Sequence, residues 1–567
     1  MNYVDSSECS KRRKAGELRK VIPTPQLALA TEMSLRSKGR TTEAELVKEI
    51  LHSSPTRASR MSQSWQDTKK STILPYTSTE ALALMLDLSL SRKKYQTLRT
   101  QGIRRGADLY PSYKRIQEEK SHCYPASITV TESKAEVPLQ ALMDHTAQRI
   151  TMIDSKVFEG ANLRELQNCT LITKWGFDGS GLQSRYQQVQ KNHDFDDSSL
   201  LMTCYVPLQL YCGSADAKKI LWQNPKPSST HYCRPGKLEY CKETRQVIKE
   251  EETLVRNQIA SLSFTSVNLN IGIVRIEHKL SCTMIDGKVH NALTDTSCSQ
   301  NCSVCGASTK LMNNIDELLL REANPAALEL GLSTLHAYIR FMEWMLHVCY
   351  RLDLKKYYIR KELKDVMNER KSKVQDRFRK ELGLLVDFVK EGSGTTNCGN
   401  TADRFFRNPS ITSNITGLDE NLLDRLDTVL RTLSCGVAVN AEAFHEYAID
   451  TARLYTSLYG WYPMPASAHR ILMHGSKAIA VALLPIGMMS EEAQEARNKE
   501  FRKIRESHSR KTSREATMQD VFNTMLVTSD PFISSIRTST NPVKDIHAMK
   551  PAVLDLLDIN MEPEEND

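Results

Sequence analysis

No stretch of the 567 residues is apolar for long enough to cross a bilayer. The longest run, AIAVALLPIGMM at 478–489, is well short of a spanning helix and contains Pro485. The opening MNYVDSSECSKRRK is polar and has no apolar segment of the secretory kind, so neither export nor membrane insertion is expected. Also missing are a glycine-rich loop that could cradle phosphates, a Ser-His-Asp or Cys-His order, and an H-E-x-x-H zinc helix. These absences argue against nucleotide-hydrolysing loops, acyl-transfer triads and zinc proteases. No internal repeat is present, which excludes a solenoid. Charge of one sign is not in large excess, since the formal net charge is only +8.

Cysteine is not scarce. The chain has 14, and without a secretory signal they are expected to be reduced thiols, so pairs at metal-ligand spacing matter more than disulfide counting. At this length one hydrophobic core does not suffice, and three or four domains are expected. The positive charge is unevenly placed. Residues 1–75 hold 14 Lys/Arg against eight Asp/Glu, and residues 490–515 hold a further eight Lys/Arg. One basic segment usually means a solvated face; two on one chain point to a polyanion partner, nucleic acid before membrane. SKRRK at 10–14 fits a nuclear localisation patch or a DNA arm.

Residues 1–75 are rich in Ser, Thr, Lys and Arg, and predict one or two short helices in a partly disordered region. Helical periodicity covers 78–120, with Pro111 and Pro125 as punctuation. Between 169 and 285 the pattern is that of strands: CTLITKWGFD, then SLLMTCYVPLQLYC (199–212), then one or two within 267–286, with a helix at 242–262 between them. NPKPSSTHYCRP reads as a surface loop. From about 312 to 530 the pattern is almost wholly helical, with one long stretch from 327 to 389, and Phe341, Trp344 and Met345 read as core. The end, DINMEPEEND, is acidic and expected to be mobile.

Two constellations could carry chemistry. Asp178 and Asp286 each end an expected strand and each precede a glycine. For Asp178-Gly179 alone, an ordinary turn is the commoner explanation. Two strand-end carboxylates in one mixed sheet could instead hold divalent cations for phosphoryl transfer. A third acid would come from SEEAQEARNKEFRKIRE, which offers Glu491, Glu492, Glu495 and Glu500; spacing does not choose among them, and Glu495 could simply pair with Lys499. The second constellation is Cys302-x-x-Cys305-Gly306, with knuckle spacing for zinc, though a redox pair or two buried thiols fit it equally. His469 and His474 could supply the other half. Five residues turn a helix through roughly 140°, so one of the two is expected at a helix end, near Gly475.

Taken in order, these pieces resemble the Transib-type DNA transposases and the related catalytic core of the V(D)J recombinase, over about residues 78–530. LSLSRKKYQTLRTQG with LYPSYKRIQEEK is similar to that family's dimerisation and DNA-binding helices. FDGSG sets Asp178, and MIDGK sets Asp286, at the positions of its two catalytic aspartates. CSVC and HRILMH supply Cys302, Cys305, His469 and His474 as its zinc ligands, and the match E-x-x-N-K selects Glu495 as its catalytic glutamate. No ring-type Cys/His module precedes these pieces.

The resemblance implies an RNase H-like mixed α/β sheet split by a large helical, zinc-stabilised insertion. The implied layout is a basic region at 1–75, a helical dimerisation and DNA-binding module at 76–125 and connecting helices at 126–168. The core would occupy 169–300 and 481–535, the insertion 301–480, and an acidic tail 536–567. It further implies two magnesium or manganese ions on Asp178, Asp286 and Glu495. Gly179 and Gly181 would keep bulk away from a DNA phosphate, and Arg497, Lys499, Arg502, Lys503 and Arg505 would contact phosphates. The implied protein is a nuclear homodimer that cuts and joins double-stranded DNA at transposon ends. The rival expectation is a domesticated, non-catalytic DNA-binding or scaffold protein on the same fold.

Overall fold

The computed structural model describes residues 6–52, 54, 57, 59–62, 74–160, 163–181, 197–213, 218–390, 394–537 and 548–558. Of the expected acidic tail, 536–567, residues 538–547 and 559–567 lie outside them. The chain divides into two units, one of residues 1–76 and 97–111, the other of 77–96 and 112–567. Among the described residues the first carries helices Glu8–Val21, Thr24–Ser37 and Thr41–His52. Ser7 caps the first of them through its side chain.

The second unit is built on an eight-stranded mixed sheet. Its strands are β1 (Thr129–Val130), β2 (Lys134–Glu136), β3 (Cys169–Ser180), β4 (Leu200–Cys212), β5 (Lys219–Gln223), β6 (Arg234–Glu239), β7 (Thr265–Leu269) and β8 (Gly272–Cys282). The order is β1-β2-β6-β4-β3-β8-β7, with β5 paired to β4. β3 runs antiparallel to β4 and parallel to β8, in a register that sets Trp175 beside Cys282. Residues 171–177 of β3 are all buried, which is why this strand shows no alternation of apolar and polar residues.

The sheet departs from expectation in three places. β3 continues two residues past Asp178, which pairs with Met202, so the Asp-Gly dipeptide is strand and not turn. β8 stops at Cys282, and Asp286 instead caps helix Gly287–Leu293, accepting from the Val289 N–H at 2.7 Å. The stretch read as a surface loop leads into β6, with Tyr232, Cys233 and Arg234 buried. Pro235 hides that strand from sequence reading because proline cannot donate to a ladder; a register shift at Thr203/Cys204 accommodates it.

Two large cores follow. Trp175, Phe177, Met202 and Tyr205 of the sheet pack with Phe501 and Ile504 of helix Glu492–Ser507 and with Phe522 and Met525 of helix Arg514–Thr528. A separate cluster draws only on residues between 302 and 486, around Phe341, Trp344 and Met345, with the Trp344 indole donating to the Tyr455 hydroxyl at 3.0 Å. The long helical stretch expected at 327–389 holds two long helices, Thr334–Tyr350 and Lys364–Leu382. Among the described residues no single helix is long and apolar enough to cross a membrane.

Candidate active site and metal centre

Gly176 permits the approach that builds the acidic site. A Cβ there would lie 2.0 Å from the Met284 carbonyl oxygen, so only glycine lets the chain leaving β8 press onto β3. The Thr283 and Met284 N–H groups both donate to the Trp175 carbonyl at 3.1 Å. Two residues later comes Asp286, four residues past the end of β8 and close enough to Asp178 for its charge to act there.

The Glu495 helix is tied to the same place. The Lys174 ammonium, wholly buried in β3, donates to the carbonyls of Met488 at 2.8 Å and Ser490 at 2.7 Å. Burial pulls its pKa down to about 8. Thr283 donates to the Met489 carbonyl at 2.7 Å, so both parallel strands hold the segment that starts the helix. In the second turn of the helix, the Asn498 amide donates to Asp178 Oδ2 at 2.6 Å. Burial first, then the charges of Asp286, Glu243 and Glu495, pushes the Asp178 carboxyl up to about 8. Glu495 is 38% exposed and also forms the ordinary helical pair with Lys499 at 3.4 Å.

Four residues here were not assigned a role from sequence. Glu243 sits just before helix Arg245–Ala260, paired with Lys288. A Cβ on Gly179 would lie 2.7 Å from the Glu243 side chain, so that glycine makes room for a carboxylate; one on Gly181 would meet nothing. Asn498 lay in plain view within E-x-x-N-K. His336 and Glu491 face each other at 3.0 Å, and no spacing in the sequence couples positions 155 residues apart.

The basic residues sort by burial. Lys499, Arg502 and Lys503 are exposed. Arg497 is fully buried and donates to the carbonyls of Thr230 and Cys233, to the Thr528 hydroxyl and to Glu500. Arg505 is buried against Asp197 at 3.4 Å, with its guanidinium 5.3 Å from the Tyr240 ring centre. Both were expected to face DNA. They point inward instead, because the helix needs buried cations to dock on the polar loop and acid beneath it.

Cys302, Cys305, His469 and His474 converge, with ligand atoms within 4.8 Å of one another. Gly306 takes a left-handed φ of 68°, closing the knuckle as its N–H donates to the Cys302 carbonyl at 2.8 Å. Cys305 Sγ lies 3.3 Å from His469 Nε2. Its thiol is held below the usual range, chiefly by Cys302 and then by the two imidazoles. Both histidines lie inside helix Ala466–Val481, and Gly475 does not end it; a Cβ there would be 2.8 Å from the Phe444 ring. His469 occupies the first turn, and the two rings meet with centres 5.1 Å apart.

The buried set has ring nitrogens without a protein partner, namely His469 Nδ1 and both of His474, and together with two thiols it could hold zinc. Among the described residues the carboxylates of Asp178, Asp286 and Glu495 form no set that tight. Their oxygen donors, with buried and unpartnered atoms at Glu243 Oε1 and Asn498 Oδ1, nonetheless suit a hard divalent cation. A groove of about 760 Å³ opens from Asp286 and is lined by Lys288, His336, Arg340, Tyr357 and Arg470.

No family model matches this chain. No curated protein matches it either. Among solved structures it is similar to the Drosophila P element transposase strand transfer complex, at 9% identity and a TM-score of 0.29, over 93% of this chain and 98% of that one. A likeness so slight carries no argument about chemistry.

Proposed function

We propose that this protein is a DNA transposase or recombinase of the acid-triad, RNase H-like kind, akin to the Transib type, that cuts and joins double-stranded DNA at transposon ends. What supports the reading above all is the convergence of Asp178, Asp286 and the Glu495 helix from three distant parts of the chain onto one corner of a mixed sheet. On this reading Asp178, Asp286 and Glu495 hold two magnesium or manganese ions, whose chemistry when bound is to activate water and neutralise charge on the leaving 3′ oxygen. The protein's own part is to fix the acids. Lys174 and Thr283 anchor the segment before the helix, Asn498 orients Asp178, and the exposed Lys499, Arg502 and Lys503 position phosphates without reading sequence.

Cys302, Cys305, His469 and His474 would hold zinc and clamp the two ends of the helical insertion, 301–480, to each other. We further propose that 76–125 serves dimerisation and DNA binding, 1–75 forms a basic accessory region, 126–168 connects the 76–125 module to the core that begins at 169, and 536–567 is an acidic tail. The protein would act as a homodimer in the nucleus, since paired transposon ends are symmetric.

The test is metal-dependent nicking of DNA bearing inverted repeats taken from the gene's own flanks. Wild type should nick in magnesium or manganese, whereas Asp178→Ala, Asp286→Ala and Glu495→Gln should not. Equal behaviour of wild type and Asp178→Ala would leave only a DNA-binding or scaffold role.

A further inference from the structure

We propose that segment 548–558 positions the Glu495 helix: docked on helix Glu420–Ser434 and bridged to the turn that follows it, the segment fixes that turn against residues 486–489, which lead into the acid-bearing helix. The inference rests on the transposase reading above, and the segment lies beyond residues 78–530, the span of the resemblance.

The docking uses charge, apolar side chains and backbone together. Lys550 pairs with Asp424 at 2.8 Å and also with Asp427. Asp427 is wholly buried and accepts from Arg431 Nε at 2.8 and 2.9 Å, so the lysine completes a network around a carboxylate that water does not reach. Helix Pro551–Leu554 lies against helix Glu420–Ser434, and Val553, Leu556 and Leu557 are buried. Leu557 forms an antiparallel bridge with Val439. The Asn440 N–H donates to the Leu556 carbonyl at 3.0 Å, and the Asp558 N–H to the Ala438 carbonyl at 2.9 Å. This part of the expected acidic tail is therefore an apolar, docked strap.

The bridged turn reaches the candidate active site. Gly436 takes a left-handed φ of 83° within it. A Cβ on Gly487 would lie 2.7 Å from the Gly436 nitrogen and 2.9 Å from the Ser434 carbonyl carbon, so only glycine lets the turn and the segment meet backbone to backbone. From the sheet, Lys174 and Thr283 hold the carbonyls of Met488, Met489 and Ser490. The run into the Glu495 helix is thus gripped twice, by the sheet at 488–490 and by the turn at Gly487. Asp178 sits within β3 and Asp286 caps its own helix, so slack at the turn would move Glu495 relative to the two aspartates.

The experiment compares wild type with a chain stopping at His547 and with Leu557→Ala. Amide hydrogen exchange in magnesium-free buffer gives a readout that does not depend on activity. In the shortened chain the amides of 486–498 should exchange roughly tenfold faster or more, while those of β3 and of helix Lys364–Leu382 keep their rates. Nicking of the inverted-repeat DNA should lose roughly 10- to 100-fold in kcat, the cost of a loosely held catalytic group. It should also need more magnesium for half-maximal rate, with KM, DNA affinity in EDTA and zinc content unchanged. A synthetic peptide of residues 548–558 added to the shortened chain should restore both exchange and rate; the same peptide carrying Leu556→Asp and Leu557→Asp should not. Wild-type exchange at 486–498 in the shortened chain overturns the proposal. So does a kcat loss with an unchanged magnesium requirement, which marks a general structural prop, or one matched by lost DNA affinity, which marks a DNA contact. If the shortened chain does not fold, Leu557→Ala decides, and unchanged exchange at 486–498 counts against the proposal. Cleavage by Asp178→Ala refutes the transposase reading instead, a separate outcome from the exchange result.

Discussion

The closest backbone approach at the candidate site offers a graded test. Replacing Gly176 by alanine puts a Cβ 2.0 Å from the Met284 carbonyl oxygen, 2.4 Å from its carbon and 2.8 Å from its Cα. All three are backbone atoms, so no rotamer change relieves the clash, and the chain leading from β8 to Asp286 must move. Overpacking of a close-packed interior costs about 1–3 kcal/mol when side chains can adjust, and a backbone obstacle belongs at or above the top of that range. At Gly179 the obstacle is the Glu243 side chain at 2.7 Å, which can swing away, so the cost should be about 1 kcal/mol together with a weakened Glu243–Lys288 pair. At Gly287, the first residue of a helix, the added methyl meets nothing, and alanine should be neutral or better by about 0.5 kcal/mol. The assay is thermal and urea unfolding followed by tryptophan fluorescence, since Trp175 is buried in the sheet next to Gly176. About 3 kcal/mol corresponds to roughly 6–12 °C for a cooperative unit of 150–250 residues. Nicking should also vanish in Gly176→Ala at temperatures where it stays folded, while Gly287→Ala cuts normally. An unfolding midpoint for Gly176→Ala within 1 °C of wild type would refute the claim that this contact sets Asp286 against β3.

Other expectations follow from the same geometry. Purified protein should carry one zinc per chain by atomic absorption, and Cys305→Ser or His474→Ala should lose it along with several degrees of thermal stability, because structural zinc binding is coupled to folding. Arg497→Ala should destabilise by roughly 3–5 kcal/mol in urea, the cost of breaking a buried ion pair, whereas Lys499→Ala, exposed on the same helix, should leave stability unchanged and weaken DNA binding in a salt-dependent way. Lys174 titrates at about 8 when folded and near 10.5 when unfolded. Below pH 8 both states are protonated and the burial penalty is at its greatest. Between pH 8 and 10.5 the unfolded state binds more protons, so stability should rise with pH across that window, and Lys174→Met should remove the rise.

Much of this was written in local pattern. The strands around Asp178 and the helix at 245–260 were legible because apolar runs and helical periodicity survive without knowledge of neighbours. The C-x2-C knuckle was legible because a turn's chemistry is local, whereas Glu495 was selected only through the family resemblance and Asn498, in the same stretch, was passed over. The loop reading of 224–235 holds through Cys233, and only Arg234 and Pro235 are strand; those two were missed because proline in a strand is tolerated only through a bulge that another strand supplies. Arg497 and Arg505 failed for a related reason: a basic helix looks the same in sequence whether a given cation faces water or a buried carbonyl.

The sequence by itself determined which residues could ligate, the strand character around Asp178 and the helix at 245–260, and that no apolar stretch could span a membrane. Tertiary structure alone decided that Cys305 meets His469, that Glu491 meets His336, and that Asp178, Asp286 and the Glu495 helix share one corner. The physical reason is that ligand sets and buried ion pairs are made by approach between segments remote along the chain. Such approach depends on what two surfaces leave room for, as the missing Cβ of Gly176 does for the Met284 backbone, and no single segment contains that information.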